Sequence, residues 1–434
     1  MASRYWVETL GCPKNQVDSD KLVGTIEADG YLPASSPEQA DLVVVNTCAF
    51  IEAARAESVE TVLDLSARRG RGARLVVTGC MAERYGAELA EALPEVDLVA
   101  GFGVAVTLGR KPGVSPPAGA AVPSFDLLNL PRPAASAPWA YVKVAEGCDR
   151  RCGFCAIPSF RGKQRSRTMD DILAEVDALA VQEVVLVAQD LASYGRDTGH
   201  KGAILDLVAQ VAARVPRARL LYLYPSELSD GLIEVMGATG CHYFDLSLQH
   251  ASRPHLRRMR RWGDGTRFAE RIGHIRSRYP DAALRSSFIV GYPGETEEDH
   301  DALLRFLEEV ELDWCGLFPY SSEEGTFAAG LVDVVPQGLM AERLAEASEL
   351  ADRITARSRA ALIGRQIEVL VDEPGVGRSH REAPEIDGVI RIPEELTVGT
   401  FATVTVTSAE GPDLDATLST PIPALSAGAP SRGA

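Results

Sequence analysis

The 434-residue chain has no run of about 18 uninterrupted apolar residues, so no membrane span is predicted. Its start, MASRYWVETLGCP, has no basic region followed by an apolar core. No signal peptide is predicted, and the expected location is the cytoplasm. Basic charge is not in excess. The net charge of −17 opposes nonspecific nucleic-acid binding, which phosphate contacts dominate, and suits a basic partner. The seven histidines show no paired ligand spacing, and none is assigned to a metal. No carboxylate dyad or Ser/His/Asp set stands out. What remains is an ordinary globular composition, 46% hydrophobic and 24% charged, long enough for two or three domains.

Eight cysteines in a cytoplasmic chain point to metal or redox chemistry rather than disulfides. Three of them, Cys148, Cys152 and Cys155, fall in EGCDRRCGFC (146–155), a C-x3-C-x2-C run with no fourth thiol. A structural zinc site is normally closed by four protein ligands, and the nearest histidine is His200. An iron–sulfur cluster also normally takes four cysteines. Held by three, one iron would stay open to an exogenous ligand.

The chain opens with three apolar runs, YWVETLGC (5–12), DLVVVNTC (41–48) and ARLVVTGC (73–80), separated by helix-compatible segments. Strand, helix, strand implies a parallel sheet. Cys12, Cys48 and Cys80 each lie just past a predicted strand, so one sheet edge should gather them into a second three-thiol set. Residues 109–138 carry seven prolines and read as a linker. Six further apolar runs follow, at 140–148, 183–190, 219–225, 243–250, 284–294 and 313–321, with helical segments between them. They predict a partial (β/α)6 barrel whose active site lies at the strand C-terminal ends, where the C-x3-C-x2-C loop falls. After a long helical pattern (338–364), alternating runs at 367–373, 387–392 and 400–410 predict a small antiparallel barrel. Arg365–Asp415 holds four Arg against eleven Asp plus Glu, a net of about −7. The fold class is therefore α/β with a small C-terminal β-barrel.

The C-x3-C-x2-C spacing, with Phe154 before the last cysteine and a place on a barrel's first loop, resembles the radical S-adenosylmethionine (SAM) superfamily. The whole chain resembles the methylthiotransferases within it. LGCPKNQVDSD (10–20), GCDRRCGFCAIPSFRG (147–162), YPSELSD (224–230), LSLQHAS (246–252), MRRWGDG (259–265), SSFIVGYPGETEED (286–299), PYSSEEGT (319–326) and GRSHREAPEIDG (377–388) are similar to the RimO-type branch, which modifies a ribosomal protein rather than transfer RNA. The resemblance implies an N-terminal methylthiotransferase domain (3–110), a linker (111–137), a radical SAM core (138–362), a TRAM domain (363–424) and a tail (425–434). It implies two [4Fe–4S] clusters, one on Cys12, Cys48 and Cys80 and one on Cys148, Cys152 and Cys155. It also implies an external electron donor. The implied reaction is methylthiolation of the β-carbon of an aspartate in small-subunit ribosomal protein uS12, with SAM as both methyl donor and 5′-deoxyadenosyl radical source. The alternative is methylthiolation of a modified adenosine in tRNA. The acidic C-terminal barrel suits a basic protein substrate.

Other residues carry weaker expectations. Gln189, Gln249, Arg285 and Gly291 are expected SAM contacts near strand ends; at Gly291 the missing Cβ would let backbone approach the adenine. HLRRMRRW (255–262) is expected to be a solvated helix face, with a contact to the substrate or the SAM carboxylate as the alternative, and FRGKQRSR (160–167) a surface loop beside the cluster. Cys241 and Cys315 are expected in the core.

Overall fold

The opening apolar runs pair side by side in a parallel sheet. The computed structural model describes residues 2–106 and 126–419. Most of the expected linker (111–125) and all of the expected tail (425–434) lie outside the described residues. The first sheet comprises β1 (Arg4–Thr9), β2 (Leu32–Pro33), β3 (Leu42–Thr47), β4 (Arg74–Gly79) and β5 (Leu98–Ala100) in the order β2-β1-β3-β4-β5, every pair parallel. The two short edge strands carry too little pattern to be predicted. Helices α1 (Pro13–Ala28), α2 (Glu52–Arg68) and α3 (Cys80–Ala92) make the crossovers. All six residues of β3 are buried, as a parallel strand covered on both faces requires. Residues 126–131 lie on α1 as a strap. Lys21 Nζ donates to the Leu128 and Leu130 carbonyls at 3.1 and 2.8 Å. Gly24 leaves room for Pro131, whose carbonyl oxygen a Cβ would meet at 2.7 Å.

The second unit is an arc of six parallel strands, β6 (Trp139–Lys143), β9 (Glu183–Val187), β10 (Arg217–Leu220), β11 (Tyr243–Gln249), β12 (Ala283–Val290) and β13 (Trp314–Pro319). A two-residue antiparallel pair, β7 (Ala145–Glu146) with β8 (Arg165–Ser166), brackets the cysteine loop. The arc is two three-stranded sheets, β6-β9-β10 and β11-β12-β13, joined by a bridge between Leu223 and Leu246. β6 and β13 do not pair, so the barrel is open on one side. Strand alternation sends Val142, Val184, Leu186, Phe244 and Leu284 outward into one large core. Tyr141, Val185, Val187, Leu221, Tyr243 and Trp314 turn inward into another. Val17 of α1 belongs to that inner core, and α1 packs on β6, the free edge of the arc. The first helix of the N-terminal domain thus lines the barrel's interior.

The C-terminal strands β14 (Gln366–Glu373), β15 (Val376–Arg378), β16 (Ile390–Arg391), β17 (Phe401–Glu410) and β18 (Asp413–Leu418) close a barrel in the order β14-β15-β16-β18-β17. It is antiparallel except where β16 runs parallel to β18. Its loop 379–387 caps the N-terminal ends of the core strands. Tyr141 and Tyr243 donate their hydroxyls to the Pro384 carbonyl and the Asp387 carboxylate at 2.8 and 2.6 Å. Trp314 Nε1 donates to the Arg381 carbonyl at 2.6 Å. Among the described residues no helix is long and apolar enough to cross a membrane.

In the same loop Glu382 is fully buried against Arg359 of the long helix Gln337–Ala360. Desolvation acts upward on its carboxyl, but the guanidinium and the Ser379 hydroxyl and N–H hold it down to about 2. A carboxyl depressed in the folded state stabilises fully above its ordinary range, and that contribution is lost as pH falls through the folded value. Glu382→Gln is therefore expected to be less stable at neutral pH and to lose less stability than the intact chain between about pH 4.5 and pH 2. Urea midpoints across that range check this, and parallel curves would refute it.

Candidate active site

Each N-terminal cysteine sits within three residues of the end of its strand. Cys12 is the N-cap of α1, Cys48 follows β3, and Cys80 opens α3. Glycine makes two of these turns possible. Gly11 (φ +94°) would place a Cβ 2.8 Å from the Cys48 Cβ, and Gly79 (φ +89°) would drive one to 2.5 Å from the Thr47 carbonyl oxygen. In the core, Gly147 (φ +75°) precedes Cys148 in the same way.

Three of the six sulfurs accept a hydrogen bond. Arg150 N donates to Cys148 Sγ at 3.4 Å. Two guanidiniums complete the set: Arg161 Nη2 to Cys80 Sγ at 3.0 Å and Arg261 Nη1 to Cys152 Sγ at 3.3 Å. Desolvation by burial pushes the thiols of Cys48 and Cys148 up to about 11 and that of Cys155 up to about 12. At Cys12 burial also acts upward, but the charges of Lys14 and Arg161 hold the thiol below its ordinary value. Two sets of three soft donors, with hydrogen bonds to Cys80, Cys148 and Cys152, fit cysteine-held iron–sulfur clusters, whose properties such bonds tune.

The two basic segments expected on the surface keep Lys163, Arg257 and Arg260 exposed, but each sends one arginine inside to a cysteine. Arg161 is 7% exposed and Arg261 8% exposed. Arg161 also donates to Asn15 Oδ1 at 2.7 Å, to both oxygens of Glu146 at 2.9 and 3.0 Å and to Asp18 at 3.3 Å. Lys143 pairs with Asp18 and, at 2.7 Å, with Glu146. A buried charge network therefore joins α1, carrying Cys12 at its N-cap, to the core loop carrying Cys148. Their partners lie far off in sequence, so a local pattern of arginines reads as a solvated face.

The segment 222–224 lies between the two sets. Tyr224 carries Arg150 and Arg261 over its ring at 3.9 and 4.0 Å, on the Cys152 side. Tyr222 carries Lys14 Nζ at 3.4 Å, and Lys14 acts electrostatically on Cys12. No linear signal marked these tyrosines.

The expected SAM contacts fall as follows. Gln189 Nε2 donates to Glu146 at 2.8 Å, beside the charge network. Gln249 ends β11 in a left-handed conformation (φ +73°). Arg285 is held by Asp245 at 3.2 Å and Asp387 at 3.4 Å, so its charge is already met. Gly291 does lack room for a Cβ, but the neighbour is the Met340 side chain, with Sδ at 2.5 Å, and its N–H is taken by Glu295 at 2.5 Å. The Gly291 backbone is also left-handed (φ +80°), a conformation that favours glycine. Cys241 is buried and Cys315 half-buried. His250, His255 and Glu295 converge with ligand atoms within 4.8 Å, a grouping the histidine spacing did not reveal. Arg343 lies 3.5 Å from Glu295 and already offsets its charge, so a cation sealed there would go uncompensated.

The N-terminal domain is latched onto the core by Glu323 of the SEEGT segment. This carboxylate accepts from Arg55 of α2 at 2.5 Å and from Arg84 of α3 at 2.7 Å. Glu323→Ala is expected to cost about 2 kcal/mol, the scale of hydrogen bonds to charged groups. Urea unfolding checks this, and an unchanged midpoint would show the latch to be idle.

Three family descriptions match the chain: the uncharacterized protein family UPF0004 over residues 4–101, the radical SAM superfamily over 142–307 and a TRAM domain over 363–418. The chain is 41% identical over 462 residues to the ribosomal protein uS12 methylthiotransferase RimO of Anaeromyxobacter sp. (strain K), covering 100% of this chain and 98% of that protein. It is 41% identical over 423 residues to the protein of the same name from Moorella thermoacetica, covering 93% and 96%. Among solved structures it is similar to the radical SAM methyltransferase TsrM from Kitasatospora setae, with a TM-score of 0.48 and 15% identity over 74% of this chain and 72% of that one.

Proposed function

The chain belongs to the ribosomal protein uS12 methylthiotransferases, a radical SAM family, and we propose that it replaces a β-hydrogen of an aspartate in uS12 with a methylthio group. The observation that carries this reading is the pair of three-thiol sets set against one interior. When bound, the two [4Fe–4S] clusters and SAM supply the methylated sulfur and the radical that breaks an inert C–H bond, a step no side-chain acid or base can perform. We assign the clusters to Cys12, Cys48 and Cys80 and to Cys148, Cys152 and Cys155.

The rest falls to this chain's side chains. The donors at Cys80, Cys148 and Cys152 stabilise thiolate charge in a dry site. The Arg161–Asp18–Glu146–Lys143 network and the Glu323 latch hold the two sets in one register, which positions the reacting groups and excludes water. The reaction needs an external electron donor and belongs in the cytoplasm, with its ribosomal substrate. The net −7 of the C-terminal segment suits a basic ribosomal protein. The tRNA alternative is not favoured.

The test is to incubate the reconstituted chain with SAM, a reductant and uS12, then map the product by mass spectrometry. A methylthio group on an aspartate β-carbon supports the reading. Methylthioadenosine in tRNA with uS12 unmodified sinks it.

A further inference from the structure

Besides Arg261, which has no carboxylate but donates to Cys152 Sγ at 3.3 Å and to the Ser247 carbonyl, five cations face the space between the two cysteine sets, and four of them are paired with carboxylates. Lys143 and Arg161 pair with Asp18 and Glu146. Arg285 pairs with Asp245 and Asp387, and Arg150 with Asp190 and Glu227. The fifth, Lys14, makes no ion pair among the described residues. Its Nζ rests 3.4 Å above the centre of the Tyr222 ring, two residues past Cys12 on α1.

Tyr222 is built to be there. It is one of few non-glycine residues with positive φ (+65°), a conformation that costs energy and is retained where surroundings over-determine it. The Asp245 carboxylate accepts its backbone N–H at 2.9 Å. Asp245 is itself tied to Arg285 and acts on Lys14 only at longer range, without an ion pair. The result is a half-buried ammonium, braced against an aromatic face, with hydrogen-bond donors left over.

Resting on the function proposed above, we propose that Lys14 binds the side-chain carboxylate of the substrate aspartate. The β-carbon that gains sulfur is bonded directly to that carboxylate. A substrate carbon brought to the Cys12 side therefore carries a negative charge into a site poor in water, where an unpaired carboxylate is costly. Lys14 is the one cation of the five with no carboxylate of its own, and it lies beside that sulfur set. The same pairing would distinguish aspartate from asparagine, because a lysine offers an uncharged amide no charge compensation.

The experiment measures equilibrium binding of two labelled synthetic peptides, the uS12 loop with its target aspartate and the same loop with asparagine there. The proteins are the intact full-length chain, Lys14→Met and Lys14→Arg. Lys14→Met is expected to weaken the aspartate peptide about tenfold or more, the scale of a charge-assisted bond, and to leave the asparagine peptide unchanged. Lys14→Arg should keep most of the preference. Iron content after reconstitution should match the intact chain. Equal weakening of both peptides, no weakening of either, or a loss of iron in Lys14→Met would overturn the assignment while leaving the proposed reaction standing. If the intact chain neither binds nor modifies the aspartate peptide, the substrate reading itself fails.

Discussion

Cys48→Ala, reconstituted anaerobically, is expected to hold about four irons where the intact chain holds about eight. Cys48 is one of three thiols gathered by the ends of β1, β3 and β4, and at 6% exposure no solvent-borne ligand can readily replace it. The Gly11 backbone, close against its Cβ, leaves no space for rearrangement. The core set lies on another loop, so it should keep its iron. Cys48→Ala should still cleave SAM reductively to 5′-deoxyadenosine but form no methylthio product. Cys152→Ala should fail at both. Iron, sulfide and 5′-deoxyadenosine assays on the three proteins check this together. About four irons in both the intact chain and Cys48→Ala would mean that the strand-end cysteines hold no cluster, leaving a radical SAM enzyme of another reaction.

Arg161→Met should unfold at markedly lower urea, with a loss of about 3–5 kcal/mol, the scale for removing one member of a buried ionic group. Two cations, Arg161 and Lys143, face two carboxylates, Asp18 and Glu146, with Lys143 and Asp18 at 0% and 1% side-chain exposure. Without Arg161 one negative charge is uncompensated in a place water cannot reach, and Asn15 Oδ1 loses a 2.7 Å donor. A second substitution, Asp18→Asn, removes the excess charge and should restore part of the loss, a coupling that a double-mutant cycle measures. A change below about 1 kcal/mol in Arg161→Met would show the network to be open to solvent. The same substitution removes the hydrogen bond to Cys80 Sγ, so the spectrum of the N-terminal cluster should shift.

The barrel arc was legible because strand period and spacing are local properties. Runs at 183–190 and 243–250 become β9 and β11 with little change of boundary. Short strands such as β2, β5 and β15 were not legible, since two or three residues carry no periodicity. Gly291 shows a different limit. The need for a residue without a Cβ could be read, but Met340, the neighbour that imposes it, comes from a helix some fifty residues on.

The chain's own sequence determined where six thiols would be: a cysteine just past an apolar run lands at a parallel sheet's edge whatever the rest does, because strand length and crossover direction are set locally. Whether a charge is solvated is not local. Arg161 meets Asn15 across 146 residues and Cys80 across 81, and Arg261 meets Cys152 across 109. Only packing α1 onto the free edge of the arc brings those partners within hydrogen-bond range. It turned Arg161 and Arg261 from surface residues into site residues and left Lys14, beside Cys12, without a carboxylate.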